Sequence, residues 1–287
     1  MDETNNIHKG SIIGNYRVAA MLGQGAAGSV YEVEDVRTGA KLALKAFTPQ
    51  SGNLSLLRKK FLAEAKLLAK LDHPNIVKVR DSGVDETTGL PFFVMDEVVY
   101  KDGLPHTLND VETGDLDEDY LVTWFCDLAA ALDYIHKEGV VHRDIKCGNV
   151  LLRPDKHVVL SDFGISKIFS DRLANELQVT RTLPVFTECG TQKTKFKMGT
   201  LGYMAPEVVR GEPATRNSDV YSLGVLLFRM LTGVWYEPGS AALELLDMYE
   251  YRWNKVLPWM LAENPKARPY KLCGLERLLP GSKETGK

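Results

Sequence analysis

The sequence predicts an α+β protein with two parts, a smaller one rich in β-strands followed by a larger helical one. From about residue 16 to 94, short runs alternate apolar and polar residues and are separated by glycine-containing turns, as expected for strands. From residue 117 onward, apolar residues recur every three or four positions, which is the spacing of a buried helix face. At 287 residues, the chain is long enough for one large domain or two closely associated lobes.

The composition argues against several classes of protein. A net charge of −3 gives no basic footprint, so we expect no nucleic-acid partner. No run reaches the ~18 apolar residues of a membrane span, and the first nine residues are polar, unlike a signal peptide. The cysteines lack the paired spacing of zinc sites or of a disulfide framework; they are Cys126, Cys147, Cys189 and Cys273. These features favour a cytoplasmic protein.

A glycine-rich stretch at residues 22–30 lies early in the β-rich part. The same glycine spacing also occurs in dinucleotide-binding folds, but there a helix must follow. Here residues 30–36 alternate, Arg37 begins a short turn, and residues 41–45 alternate again, which predicts strand, turn and strand. The glycines are therefore predicted to cap a hairpin over phosphate groups.

A helix is predicted between residues 58 and 71 from the spacing of its apolar residues, with Glu64 at the edge of the apolar face. Lys45 ends the preceding strand in a partly desolvated position, where opposite charges about 4 Å apart attract by about 4 kcal/mol. Lys45 therefore needs an anionic partner, and Glu64 is the candidate. The alternative is an exposed pair between Lys60 and Glu64, four residues apart on the same helix.

Two strong helical patterns lie in the larger part. The first ends before Gly139, and its apolar residues step by three and four positions: Leu121, Phe125, Leu128, Leu132 and Ile135. The second covers residues 220–231 and is apolar nearly all round, so we expect it to lie deep in the core. Asp219 precedes this second pattern, where it is expected to act as the N-cap.

Residues 142–164 contain the most informative cluster of the chain, with two short apolar runs flanking a proline turn at 153–156. This pattern predicts an antiparallel hairpin that brings the two ends of the cluster together. The residues of interest are His142, Arg143, Asp144, Lys146, Asn149, Asp162, Phe163 and Gly164.

Oxygen ligands brought together by such a hairpin suit magnesium. Mg²⁺ prefers one or two carboxylates together with phosphate oxygens and water, and Asn149 and Asp162 fit that set. Asp144 then remains to accept a proton from a hydroxyl nucleophile or to orient it. The cluster therefore predicts magnesium-assisted phosphoryl transfer.

These motifs resemble the eukaryotic-type (Hanks-type) serine/threonine protein kinases. The matching stretches are the glycine-rich loop at 22–30, the third-strand lysine motif at 42–45, the loops at 142–149 and 162–164, and Ala205-Pro206-Glu207. The resemblance implies a two-lobed protein kinase fold over residues 16–279. The implied parts are an N-terminal extension at 1–15, an N-lobe at about 16–95, a hinge at about 96–99, a C-lobe at about 100–279 and a polar tail at 280–287.

The resemblance also implies a role for each residue of the site. Asp144 would orient the nucleophile, and Lys146 would steady the moving phosphoryl group and favour serine or threonine over tyrosine. Lys45 and Glu64 would position the ATP phosphates, while Asn149 and Asp162 would hold Mg²⁺, with Mn²⁺ as a possible substitute. The implied nucleotide-binding residues are Leu22, Gly23, Gly25, Gly28, Val30, Ala43, Lys45, Met95, Asp96, Val98 and Leu151.

Structural roles are implied for a second group of residues. Asp219 would brace the backbone of the loop at 142–144, and Glu207 would pair with Arg268. His142 and Phe163 would pack behind the site without transferring protons. The other residues in this group are Arg143 and Thr200, and Thr200 lies in a stretch that resembles the substrate-docking segment.

The stretch from 162 to 207 is unusually long, which favours a functional segment. A phosphothreonine there would add about −1.5 to −2 charge, which Arg143 is placed to receive. Thr191 and Thr194 are the candidate phosphorylation sites, and a transient homodimer would allow autophosphorylation. The alternative for the lysines at 193–197 is a solvated loop.

The sequence thus predicts a kinase that transfers the γ-phosphoryl group of ATP to serine or threonine hydroxyls of protein substrates. Two alternatives stay open. An ATP-binding pseudokinase or signalling scaffold is left open by the long segment and by Ala27, which stands where many kinases carry an aromatic residue. The intact site residues argue against it: Lys45, Asp144, Asn149 and Asp162. A small-molecule kinase would share the phosphate chemistry but would not need Thr200 or the motif at 205–207.

Overall fold

The structure is a computed structural model that describes residues 7–25, 28–47, 62, 65–114, 116–163, 201–239, 241–248 and 251–279. Several residues singled out above lie outside this set: Ala27, Lys60, Glu64, Gly164, Cys189, Thr191, Thr194 and Thr200. The described residues divide into two compact units, the first covering 7–105 and the second covering 106–163 and 201–279. The lobe and hinge boundaries expected from the sequence stay predictions.

The described part of the first unit contains six strands, which are β1 (Ile12–Ile13), β2 (Tyr16–Gly25), β3 (Gly28–Asp35), β4 (Lys41–Ala46), β5 (Val79–Val84) and β6 (Pro91–Met95). They form an antiparallel sheet in the order β1-β2-β3-β4-β6-β5. The predicted strand, turn and strand after the glycine-rich stretch are confirmed as β3 and β4. Residues 65–68 are helical, in agreement with the helix predicted there.

One apolar cluster stabilises the sheet of the first unit. Tyr31 and Leu44 are paired across β3 and β4, and Leu44 is paired with Val94 across β4 and β6, so the three side chains share one face. Removing a large apolar side chain from water stabilises a fold by about 1.5–3 kcal/mol. The buried members of the cluster are Ile13, Tyr16, Val18, Tyr31, Val33, Leu44, Ala46, Phe92 and Val94.

The second unit is mainly helical and contains one short hairpin. Its elements are α1 (Glu118–Lys137), β7 (Val150–Leu152), β8 (Val158–Leu160), α2 (Pro206–Val209), α3 (Arg216–Thr232), α4 (Glu244–Met248) and α5 (Val256–Met260). Short 3₁₀ turns lie at Leu108–Asp110, Cys147–Asn149, Ala241–Leu243, Arg252–Asn254, Pro265–Ala267 and Leu275–Leu278. Among these described stretches, no helix combines the length and the apolar character that crossing a bilayer requires.

Helix α1 confirms the first helical pattern of the sequence, since all five predicted apolar positions are at most 1% exposed. Asp117 caps its N-terminus by accepting a hydrogen bond from the backbone N–H of Asp119 at 3.0 Å. The chain leaves the helix through Gly139, whose φ of 73° is in the left-handed region that glycine adopts without steric cost.

Helix α3 confirms the second pattern as a buried helix, but the predicted N-cap is wrong. Thr215 is the N-cap, and its backbone N–H donates to the Ser218 hydroxyl at 3.1 Å in a capping box. The helix therefore begins a turn earlier than the apolar run suggests. Asp219 lies inside its first turn, where its carboxylate is available to the neighbouring loop.

Candidate active site

The hairpin of β7 and β8 positions two ends of the predicted cluster. Val150 is paired with Leu160, so the residues just outside the strands meet. The backbone N–H of Ser161 donates to the carbonyl of Asn149 at 2.8 Å, and the Ser161 hydroxyl donates to the same carbonyl at 3.0 Å. The Asn149 side-chain nitrogen lies 3.5 Å from the carbonyl oxygen of Asp162. The sequence correctly predicted that Asp162 returns beside Asn149.

Asp144 is held by two donors from the turn that follows it. The amine of Lys146 donates to Oδ2 of Asp144 at 2.9 Å, and Nδ2 of Asn149 donates to the same oxygen at 3.0 Å. Nδ2 also donates to the backbone carbonyl of Asp144 at 2.7 Å. The carboxylate is therefore fixed in one orientation by a cation and an amide on the same loop.

The carboxylate of Asp219 holds the backbone of the loop that carries Asp144. Its Oδ1 accepts the N–H of Arg143 at 2.8 Å, and its Oδ2 accepts the N–H of His142 at 2.8 Å. His136 on α1 lies 2.9 Å from Oδ2, and Asp219 is only 1% exposed. Arg143 has a φ of 70°, a conformation that costs a non-glycine residue about 1–3 kcal/mol and persists only where the surroundings hold it. The two hydrogen bonds from Asp219 stabilise that conformation.

His142 is fully buried and makes two hydrogen bonds with its ring. Nδ1 accepts the backbone N–H of Asp144 at 3.3 Å, and Nε2 donates to the carbonyl of Ser161 at 2.9 Å. Burial lowers the pKa of His142 below its usual value, which favours this neutral tautomer. The Phe163 ring packs 4.7 Å from the imidazole, between centroids. This geometry agrees with the packing role expected of both residues.

In the first unit, strand register gathers four of the expected nucleotide-binding residues. Val30 is paired with Lys45, and Ala43 is paired with Met95. Directly paired residues of antiparallel strands share a face, and residues two apart on a strand do also, so all four lie on the same face. This face is opposite to the one that carries Leu44 and its apolar cluster.

Gly28 is needed where the glycine-rich hairpin begins its second strand. A Cβ at this position would lie 2.0 Å from the carbonyl oxygen of Ala46, and the φ of Gly28 is 139°. Gly25 is its pairing partner across β2 and β3, and Gly23 is paired with Val30. Leu22 lies in the same strand, β2. The glycine-rich stretch is thus a close hairpin, as the sequence predicted.

The segment after β6 contains the residues that resemble a hinge. The carboxylate of Asp96 accepts two hydrogen bonds from the Arg80 guanidinium, at 2.6 and 2.7 Å. The Asp96 side chain is thereby engaged within the first unit. Val98 follows in the same segment, which is neither helix nor strand, and Leu151 lies on β7 of the second unit.

The pair expected between Glu207 and Arg268 is present and deeply buried. Two nitrogens of Arg268 donate to the two carboxylate oxygens of Glu207 at 2.7 and 2.9 Å, and the side chains are 0% and 3% exposed. The Ser218 hydroxyl donates to Glu207 at 2.8 Å. Burial alone raises the pKa of Glu207, but these hydrogen bonds outweigh it, so the pKa lies below the usual 4.5.

This lowered pKa makes part of the folding stability depend on pH. Because the unfolded state binds the proton more readily, ionised Glu207 stabilises the fold fully above about pH 4.5, and the stabilisation is lost as pH falls toward the lower folded pKa. We expect the stability difference between the wild type and Glu207→Gln, measured by urea unfolding, to shrink between pH 6 and pH 3. Glu212→Gln, at an exposed position, is the control and should give a small, constant difference. A pH-independent difference for Glu207→Gln would contradict the assignment.

Two contacts of the site had no signal in the sequence. His136 falls among the apolar positions of α1, where nothing distinguishes it from another helix residue, yet it meets Asp219. Tyr203 meets Cys147, although the two are far apart in the chain. Both contacts depend on the packing of separate helices and loops.

Comparison with known proteins agrees with this geometry. The protein kinase domain family model matches residues 16–269. The serine/threonine-protein kinase PknD of Mycobacterium tuberculosis is 35% identical over 224 residues, which are 78% of this chain and 30% of PknD. The DNA damage-responsive serine/threonine-protein kinase RqkA of Deinococcus radiodurans is 32% identical over 93% of this chain and 39% of RqkA.

The solved structure of the M. tuberculosis PknI kinase domain has the same fold. It superimposes with a TM-score of 0.68 at 24% identity and covers 95% of this chain and 98% of that domain. The chain therefore belongs to the eukaryotic-type serine/threonine protein kinase family. It spans only about a third of the length of the curated relatives named above.

Proposed function

We propose that this chain is a catalytic domain that transfers the γ-phosphoryl group of ATP to serine or threonine hydroxyls of protein substrates. The observation that carries the proposal is the fixed carboxylate of Asp144, which accepts hydrogen bonds from Lys146 and Asn149 on one braced loop. Phosphoryl transfer depends mainly on positioning and charge stabilisation, and this arrangement supplies both.

Each residue of the loop has a distinct part in the proposed reaction. Asp144 orients the substrate hydroxyl and accepts its proton as the new bond to phosphorus forms. Lys146, 2.9 Å from Asp144, stabilises the negative charge of the phosphoryl group during transfer. Asp219 keeps both in place through the backbone of residues 142 and 143. The amine of Lys146 also favours serine and threonine, by resemblance to the family's serine/threonine members.

The donor chemistry of Asn149 and Asp162 fits Mg²⁺. Nδ2 of Asn149 is directed to Asp144, so the oxygen of the amide is the atom suited to meet a cation. Asp162 brings a carboxylate on the neighbouring residue of the hairpin, since its backbone carbonyl lies 3.5 Å from Nδ2 of Asn149. Held by these two residues, Mg²⁺ would neutralise the negative charge of the ATP phosphates, and Mn²⁺ has compatible chemistry.

The nucleotide is proposed to meet the sheet face formed by Val30, Ala43, Lys45 and Met95. A pairing of Lys45 with Glu64 would direct the amine to the α- and β-phosphates. Glu64 lies outside the described residues, and this pair stays a proposal. A cytoplasmic location and a transient homodimer for autophosphorylation belong to the same proposal.

Phosphorylation within the 162–207 stretch is the proposed control of activity. Arg143 lies next to Asp144 and belongs to the braced loop, so a phosphothreonine bound to its guanidinium would act directly on the catalytic residues. Thr191 and Thr194 remain the candidates, and both lie outside the described residues.

One assay tests the reaction and its control together. The chain is incubated with ATP, Mg²⁺ and a generic protein substrate, and mass spectrometry then locates the phosphate on the substrate and on the chain itself. We expect phosphoserine and phosphothreonine on the substrate and phosphate at Thr191 or Thr194. Removing Mg²⁺ with a chelator should abolish both signals, and adding Mn²⁺ should restore part of them.

Three outcomes would contradict parts of this proposal. Nucleotide binding without any transfer would indicate the pseudokinase alternative. Transfer to aminoglycosides or sugars, and not to protein, would indicate a small-molecule kinase. An active chain that gains no phosphate on its own residues would exclude control by autophosphorylation.

A further inference from the structure

A buried hydrogen bond links the turn of the active site to a residue far away in the sequence. The hydroxyl of Tyr203 donates to the sulfur of Cys147, with an oxygen–sulfur distance of 3.1 Å. Tyr203 is 4% exposed and Cys147 is 2% exposed. Cys147 begins the 3₁₀ turn Cys147–Asn149, so it directly follows Lys146 and lies two residues before Asn149.

This bond belongs to a chain that begins and ends on helix α3. Nη1 of Arg229 donates to the Tyr203 oxygen at 3.4 Å, so the hydroxyl proton is left to point to the sulfur. The thiol of Cys147 donates in turn to the sulfur of Met230 at 3.7 Å. Successive hydrogen bonds of this kind polarise one another in a buried environment. Cys147 is therefore both an acceptor and a donor.

Tyr203 is itself firmly held. The hydroxyl of Ser222 donates to its backbone carbonyl at 2.7 Å. Its ring packs edge-on against Trp235, with centroids 5.1 Å apart, and the guanidinium of Arg229 lies 3.8 Å from the Trp235 centroid. A hydroxyl fixed in this way provides a rigid anchor for the sulfur of Cys147.

The surroundings of Cys147 argue against a reactive thiol. Burial raises the pKa of Cys147 and outweighs the opposing hydrogen bond from Tyr203. Reactive cysteines are exposed thiolates with a lowered pKa, and this side chain has neither property. The geometry instead suits a protonated thiol that holds a loop in place.

We propose that Cys147 is a positioning residue that sets the catalytic turn through its hydrogen bond with Tyr203. The bond fixes the start of the turn. It thereby also fixes Lys146 and Asn149, the two donors that hold the carboxylate of Asp144. The same bond fixes the segment 201–205 against the turn. The catalytic consequence rests on the proposed function, whereas the mechanical link rests on geometry alone. A shift of about 1 Å in such groups can slow a reaction by up to about a hundredfold.

Single and double substitutions test the link kinetically. Cys147→Ala and Tyr203→Phe each remove the same hydrogen bond and keep most of the packing. We expect each to lower kcat for peptide phosphorylation about threefold to tenfold, the size of one neutral hydrogen bond. The KM for ATP should stay within about twofold, and active-site titration with an ATP analogue corrects for misfolded protein. The double variant should be no slower than the slower single variant, because the two share one interaction.

Conservative and control variants separate positioning from general loss of structure. Cys147→Ser keeps an acceptor for Tyr203 and should recover part of the lost turnover. Cys273→Ala removes an exposed cysteine, and Tyr270→Phe removes the hydroxyl of a tyrosine that is 76% exposed. Both control variants should retain wild-type kcat. Unchanged turnover in Cys147→Ala and Tyr203→Phe, or fully additive losses in the double variant, would overturn the proposal.

Hydrogen exchange tests the mechanical link even if the wild type transfers no phosphate, an outcome that would reject the proposed function alone. Tyr203→Phe should speed exchange of the amides of Asn149 and Val150, which bond to carbonyls within the catalytic turn. Cys147→Ala should speed exchange at Met204, whose N–H bonds to Leu201. Unchanged exchange at all three amides would overturn the inference.

Discussion

Replacing Asp144 by alanine is expected to lower kcat for peptide phosphorylation by about 10²–10⁴-fold, the usual contribution of a positioned general base. This corresponds to about 3–5 kcal/mol of transition-state stabilisation. The substitution removes the carboxylate that Lys146 and Asn149 hold at 2.9 and 3.0 Å. The KM for ATP should change little, because Asp144 is assigned to the hydroxyl nucleophile and not to the nucleotide. Steady-state kinetics with varied peptide and varied ATP measure both quantities.

Asp155→Ala is the matched control for that substitution. Asp155 lies in the turn between β7 and β8, and its side chain is 54% exposed. Its Oδ2 is 3.8 Å from Nε of Arg153. Such exposed pairs contribute at most about 1 kcal/mol, and Asp155 has no assigned part in the reaction. Its turnover should stay within about twofold of the wild type. The assignment of Asp144 would fail if Asp144→Ala kept more than a tenth of wild-type turnover.

Replacing Arg268 by alanine is expected to destabilise the second unit by about 3–5 kcal/mol, the usual cost of breaking a buried ion pair from one side. Glu207 would be left as a buried charge without its guanidinium partner. Arg268 also donates to the backbone carbonyls of Ala262, Asn217 and Glu263, which would lose those bonds. Urea unfolding followed by tryptophan fluorescence measures this change, because all four tryptophans belong to the second unit.

Arg210→Ala is the corresponding control on the surface. Arg210 pairs with Glu212 at 3.3 Å, and the two side chains are 52% and 59% exposed. An exposed pair of this kind stabilises a protein by about 0–1 kcal/mol. If the two arginine variants lost similar amounts of stability, the buried pair would not have the structural importance assigned to it.

Local patterns in the sequence were sufficient to predict most of the secondary structure. The turn between β3 and β4, the hairpin at 150–160 and the buried faces of α1 and α3 follow from side-chain periodicity and turn residues, which act over a few neighbours. The start of α3 could not be predicted in this way. Thr215 and Asp219 are both plausible caps by residue type, and only the backbone geometry distinguishes them.

The sequence was enough to identify most residues of the candidate site, but it did not predict all the contacts between them. Asp144, Asn149 and Asp162 stand at a spacing that one hairpin brings together, so their proximity followed from local structure. The interaction of His136 with Asp219 joins two helices, and no short-range rule gives the relative position of helices. The same limit applies to Tyr203 and Cys147.

The sequence by itself determined that a strand-rich part precedes a helical part, the family resemblance and the set of polar residues available for phosphoryl transfer. Those properties depend on residue type and on spacing along the chain. Tertiary structure alone decided that His136 lies against Asp219 and that Cys147 is anchored by Tyr203. Both are contacts between residues more than fifty positions apart, and such contacts form only when packing of the apolar core brings separate elements together.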